Sequence, residues 1–320
     1  MVFDDEVDRM LAVLDSGFPA VQEMSGRAAR AAVAARRPPK DGEVAALAAT
    51  EDYTIDVEGG TIPARVYRPR GTQGRVLPGI VFFHGGGFVL CDIESHDDFC
   101  RLLAAGTASV VVSVGYRRAP EHRAPTAAED ALAGLRWTEA NARRLGVDPA
   151  KLLTAGDSAG GNLAAVCCLL ARDRDGPVIA GQLLIYPVIE PDFDNDSHRR
   201  FGKGHFNTTA AMRWYWRQYL GGDEHDALPR PEEYVAPSRA PRHAGLPPAV
   251  IVTAGRDPLC SEGRRYAETL RSAGIGVRHR HFPELFHGFF TIVALGAAEA
   301  ARDMVWSDIR ALTDNKEVPA

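Results

Sequence analysis

The chain has 320 residues, 45% hydrophobic and 25% charged, with a formal net charge of −5. That is enough apolar chain to bury a large core, and the absence of a basic stripe argues against a nucleic-acid partner. No apolar run approaches the roughly 20 residues that span a bilayer. The opening Met-Val-Phe-Asp-Asp-Glu-Val-Asp lacks the positive start and apolar stretch of a secretory leader. A cytoplasmic protein with no stable membrane association is therefore expected.

Val7, Met10, Leu11 and Leu14 recur at helical spacing and predict a helix over 4–15. A second, Ala-rich helix is predicted over 26–37, with Pro38-Pro39 as its stop. This opening section carries no strand signal and is read as separate from the sheet. Thr50–Val57 and Thr61–Tyr67 alternate around Gly59-Gly60, the pattern of a hairpin. Leu77–Phe83 and Ser109–Val114 are nearly continuous apolar runs, which suit strands covered on both faces. A helix over Thr126–Leu145, a strand over Lys151–Ala155, a helix over Asn162–Ala171 and a buried strand over Ile179–Tyr186 follow.

Residues 187–247 break the rhythm with Pro, Asp, His and aromatic residues, and only Thr208–Leu220 reads as a helix. Alternation resumes with strand Ala249–Thr253, helix Ser261–Ala273, strand Gly276–His281 and helix Ala297–Leu312. A hairpin opening followed by strand–helix repeats predicts an α/β fold with a mostly parallel sheet and helices on both faces. Five cysteines, Cys91, Cys100, Cys167, Cys168 and Cys260, match no zinc spacing and are expected as buried free thiols. Asp192, Asp194 and Asp196 mimic the start of a calcium loop. Ser197 stands where that loop needs Gly, and Lys203 where it needs Glu, so a solvated acidic turn is expected and no metal site.

Gly156-Asp157-Ser158-Ala159-Gly160 has the spacing G-x-S-x-G between an apolar strand and an apolar helix. The spacing alone is weak; a helix-capping serine in a Gly-rich turn shows it too. The setting gives it weight. A strand that turns sharply into a helix strains the serine backbone, and a side chain at either glycine crowds the turn. The helix N-terminus then aims N–H groups at an anion forming beside Ser158.

His84-Gly85-Gly86-Gly87 follows a buried strand, where bare glycine backbone can approach a substrate oxygen. Gly86, Gly87 and Ala159 are the candidate oxyanion donors. His84 is expected to orient the loop and do no proton chemistry. Asp257 stands just past the strand Ala249–Thr253, and His287 in the loop after the next strand. The order Ser, Asp, His is that of a strand-elbow hydrolase. A neutral imidazole at His287 can take the Ser158 proton, and Asp257 can hold its tautomer. His279 and His281 alternate on one strand face, His122 reads as structural, and His198, His205, His225 and His243 are expected to be exposed in the insertion.

These residues resemble the bacterial hormone-sensitive-lipase-like esterases, also called family IV. The marks are His84-Gly85-Gly86-Gly87, Tyr116-Arg117 with Ala119-Pro120-Glu121-His122, Gly156 to Gly161, Asp257-Pro258-Leu259 and His287-Gly288-Phe289, and the resemblance covers nearly the whole chain. Arg118 departs from a common Leu, and Ser261 from a common Asp. The resemblance implies an α/β-hydrolase fold with an eight-stranded sheet. It also implies serine carboxylesterase activity on short- to medium-chain acyl esters, no cofactor, and a possible homodimer. The domains it implies are a cap from helices in 1–45 and the insertion 187–247, over a catalytic domain of 46–186 and 248–320. Asp157, Phe206, Trp214 and Leu259 are the candidate substrate contacts. A deacetylase or amidase on another acyl substrate, or a non-catalytic small-molecule receptor of the same fold, stays open.

Overall fold

A computed structural model describes residues 3–37, 41–222 and 227–314, so the expected Pro38-Pro39 stop and His225 lie outside the described residues. Eight strands form one sheet: β1 (Ala48–Val57), β2 (Gly60–Pro69), β3 (Leu77–Phe83), β4 (Val110–Val114), β5 (Val147–Asp157), β6 (Gly181–Ile185), β7 (Ala249–Arg256) and β8 (Val277–Phe286). Their order is β1-β2-β4-β3-β5-β6-β7-β8. β1 and β2 form the expected hairpin, β2 meets β4 antiparallel, and every later pairing is parallel.

Both faces of the central strands are covered, and this explains their unbroken apolar runs. Val81 and Phe83 of β3 join one core with Leu152 and Ile251, while Ile80 and Phe82 join the opposite core with Leu153 and Val252. Helices α5 (Thr126–Ala140), α7 (Ala159–Asp173) and α10 (Cys260–Ser272) close the first side. Helices α4 (Asp97–Thr107) and α11 (Glu299–Thr313) close the second.

Helices α1 (Phe3–Gly17) and α2 (Gly26–Ala34) open the chain, and a single turn, α3 (Gly42–Ala45), precedes the sheet. The helix expected over Thr126–Leu145 is interrupted at Asn141, whose φ of −102° and ψ of 7° break the ladder before the short α6 (Ala142–Leu145). β8 runs five residues beyond its expected end, through Pro283, because it is the sheet's edge strand and Pro283 forfeits no ladder bond there. The insertion holds α8 (Asp196–Phe201) and α9 (Thr209–Leu220). Helix α4 was not anticipated. Its entry carries a readable signal, the reciprocal Asp92–Ser95 capping box of the preceding turn.

Four of the five cysteines are buried and Cys91 is half-buried; all are free thiols. His198 and His243 correct the expected exposure. Both are buried, with His198 Nδ1 2.9 Å from Thr209 Oγ1 and His243 Nε2 3.0 Å from the Pro237 carbonyl. Asp192 pairs with Arg265 at 2.7 Å, and Asp194 and Asp196 are exposed.

Candidate active site

Ser158 links the end of β5 to the start of α7 with φ 54° and ψ −117°, a strained backbone for a residue with a side chain. A Cβ at Gly156 would overlap the Gly160 carbonyl, and one at Gly160 would overlap the Phe83 carbonyl. The glycine spacing is thus a consequence of three backbones crossing. The elbow is also tied to β6: the Ser158 N–H donates to Ile185 O at 2.8 Å, and the Val188 N–H donates to Ser158 O at 3.0 Å.

His287, the first residue after β8, places Nε2 3.0 Å from Ser158 Oγ and Nδ1 2.8 Å from Asp257 Oδ2. Asp257 follows β7 and is 0% exposed, and its other oxygen accepts the Leu259 N–H at 2.9 Å. An Nδ1–H donor toward Asp257 leaves Nε2 as a base facing the hydroxyl. Tyr186, at φ 32°, packs its ring 4.6 Å from the imidazole and restrains it from the side. Sequence reasoning missed Tyr186; nothing distinguishes it there from any strand-end tyrosine.

Gly86 and Gly87 both have positive φ, 106° and 61°. A Cβ at Gly87 would overlap the Tyr215 ring, so only bare backbone fits beneath α9. Ala159 is the first residue of α7, where helix N–H groups have no intrahelical acceptor. His84 is buried, stacks 4.3 Å from Tyr116 and sits with Nδ1 2.7 Å from the Gly85 carbonyl. Burial holds its pKa down at about 3, so the ring is neutral. The Tyr116 hydroxyl donates to His84 O at 2.8 Å.

A cavity of about 980 Å³ opens over Ser158 and His287, with Gly86, Gly87, Asp157, Phe206, Met212 and Tyr215 on its walls. Two candidate contacts do not reach it. Trp214 is 4% exposed and donates Nε1–H to Met24 O at 3.2 Å, pinning α9 to the N-terminal segment. Leu259 is buried under the acid turn. Asp157 does reach the wall, but its carboxylate accepts the Gly85 N–H at 2.8 Å and lies 3.2 Å from His96 Nε2, which makes it a brace of the glycine loop. Met212 and Tyr215, three residues apart on α9, face the cavity instead. Ser261 bonds to Ser197 Oγ at 2.7 Å and so ties α10 to α8. Glu262 accepts the Ile189 N–H at 2.8 Å, and burial pushes its carboxyl well above the usual carboxylate range.

The arrangement can perform acyl transfer: a hydroxyl, a base oriented by a buried acid, and backbone donors at a helix start, all on one cavity floor. The model of the alpha/beta hydrolase fold family matches residues 80–291, which contain every one of these groups. The chain belongs to the α/β-hydrolase family. This hydrolase is 43% identical to the carboxylic ester hydrolase LipN of Mycobacterium tuberculosis over 78% of its own length and 66% of LipN, just under two thirds of that relative. It is 41% identical to the carboxylesterase NlhH of the same organism, over 78% of this chain and 79% of NlhH. A thermostable esterase from Pseudomonas putida superposes with a TM-score of 0.88 at 32% identity, covering 97% of each chain. This α/β-hydrolase is a serine-type carboxylic ester hydrolase related to bacterial esterases. Among the described residues no helix is long and apolar enough to cross a membrane.

Proposed function

We propose that this carboxylesterase works through Ser158 as nucleophile, His287 as general base and Asp257 as the acid that fixes the imidazole. The observation that carries the reading is the row of contacts at 3.0 and 2.8 Å on the floor of the cavity. His287 Nε2 takes the hydroxyl proton as Ser158 Oγ attacks the ester carbonyl. The oxyanion settles against the N–H groups of Gly86, Gly87 and Ala159, a type of contact whose loss raises a barrier by about 3 to 4 kcal/mol. His287 then protonates the departing alcohol, and water admitted to the same base hydrolyses the acyl-serine.

The motif set further supports membership of the hormone-sensitive-lipase-like group. In this reading the helices within 1–45 and the insertion 187–247 form a cap over a catalytic domain of 46–186 and 248–320. Its support is that α1, α2 and α9 all contribute to the cavity wall. A cavity of this size, roofed by Phe206, Met212 and Tyr215, suits short to medium acyl chains. Turnover of p-nitrophenyl butyrate, with stoichiometric labelling of Ser158 by an organophosphate, is the expected result. Labelling at another residue, or full turnover by Ser158→Ala, overturns the assignment.

A further inference from the structure

The cavity above Ser158 has a charge bias opposite to that of the chain. Five arginines, Arg27, Arg30, Arg36, Arg37 and Arg118, stand on its wall against three aspartates, in a protein of net charge −5. Most of these charges are engaged. Arg30 pairs with Glu121, and Arg37 with Asp92 at 2.7 Å. Asp15 accepts the Phe206 N–H at 3.0 Å, and Asp157 braces the glycine loop. Arg27 and Arg36 are exposed at the mouth, where salt and water screen them.

Arg118 is different. It is half-buried, and its guanidinium donates to the Cys91 carbonyl. Among the described residues the guanidinium makes no other hydrogen bond and no ion pair. A guanidinium has five N–H donors in a planar fork, so most of its donors are unspent. Its position is fixed close to the glycine loop, because Cys91 lies against Gly86: a Cβ at Gly86 would meet Cys91 Cβ at 3.0 Å. Arg118 also lines a second cavity of about 690 Å³, so it stands in the wall between two open spaces. A half-buried cation with spare donors and no ion-pair partner is set up for a carboxylate that arrives with the ligand.

We propose that Arg118 recognises a carboxylate carried by the substrate, so that this enzyme prefers esters with one anionic group, on the acyl chain or on the alcohol. The proposal rests on the esterase reading of the same cavity and names its substrate class. Two matched pairs test it: mono-p-nitrophenyl adipate against p-nitrophenyl hexanoate for an acyl-side charge, and 4-carboxyphenyl butyrate against phenyl butyrate for an alcohol-side charge.

In at least one pair the wild type is expected to favour the anionic ester in kcat/KM. Its KM for that ester should rise several-fold between low and high salt, while that of the neutral partner stays flat. Arg118→Leu should lower the anionic-to-neutral ratio about tenfold, and Arg118→Lys should retain part of it. A purely structural arginine would lower both members of a pair alike and leave the ratio unchanged. No anionic preference in either pair, or a ratio unmoved by Arg118→Leu, overturns the proposal. Loss of turnover on all four esters would instead overturn the esterase reading beneath it. Where Arg118→Leu prevents folding, Arg118→Gln gives the same reading, because it removes the charge and keeps a polar side chain, and an unmoved ratio in that variant overturns the proposal.

Discussion

Ser158 lies where one added Cβ at Gly156 or Gly160 would overlap a backbone oxygen. Above it, Phe206 meets Phe18 edge-on at 5.0 Å, and Trp214 holds Met24 through one hydrogen bond. The floor of the cavity is therefore set by crossing backbones, which leave no choice of residue. The roof is set by side chains from segments some 190 residues apart, which can be exchanged while the floor stands. On the proposed reading, the contrast puts the chemistry and the substrate range of this enzyme in separable parts of the chain.

The largest test addresses the floor. Ser158→Ala should reduce kcat on p-nitrophenyl butyrate by about 10⁴-fold or more with an unchanged urea midpoint, since the hydroxyl supports no packing. A midpoint that collapses with it would mean that floor and fold are not separable. Gly160→Ala should cost on the order of 3 kcal/mol in urea unfolding and most of the activity, because the Phe83 carbonyl cannot move without moving β3. Gly17→Ala, with nothing near its Cβ, should stay within about 0.5 kcal/mol; a like cost at both sites would erase the contrast.

His84 supplies a pH test of the same floor. Its folded pKa of about 3 lies below the ordinary 6.5, so the unfolded chain binds the proton more readily. Stability from this group is complete above pH 6.5 and declines as pH falls from there toward about 3. Thermal midpoints of His84→Asn should accordingly fall less steeply than the wild type across that range, and parallel curves would remove His84 as the cause.

The roof should respond in specificity. Met212→Ala widens the cavity and should raise the octanoate-to-butyrate ratio of kcat/KM by about tenfold, read from an acyl-length series; an unchanged series would mean that α9 does not bound the acyl chain. Trp214→Phe is expected to be the mildest change. It removes the bond to Met24 at a cost of about 1 kcal/mol, with kcat and KM within about twofold because Trp214 does not line the cavity. A larger shift in KM would show that anchoring the roof also tunes the floor.

Much of the floor was legible because its signals are local. The apolar runs of β3, β5 and β7, followed by His84-Gly85, Ser158 and Asp257, announce a buried sheet with polar groups at its carboxyl edge. The roof was less legible. Phe206 and Trp214 look alike in an aromatic-rich insertion, yet Phe206 lines the cavity and Trp214 is buried against the N-terminal segment. His198 lies among polar neighbours and His243 in a Pro- and Gly-containing stretch, both of which suggest exposure, and both are buried because Thr209 and a Pro237 carbonyl fold back to meet them. Leu259 is only two residues from Asp257 in the chain but is buried, since the acid turn directs the Leu259 N–H and not its side chain toward the acid.

By itself the amino-acid order determined which atoms could do chemistry and the sheet that would carry them, because strand burial, glycine sterics and elbow geometry act over a few neighbouring residues. Only the tertiary structure decided that Asp157 braces a loop, that Tyr186 flanks the imidazole, that Met212 and Tyr215 roof the cavity, and that Arg118 stands in its wall with donors to spare. Those outcomes depend on which distant surfaces meet, and no local pattern encodes the partner across a gap.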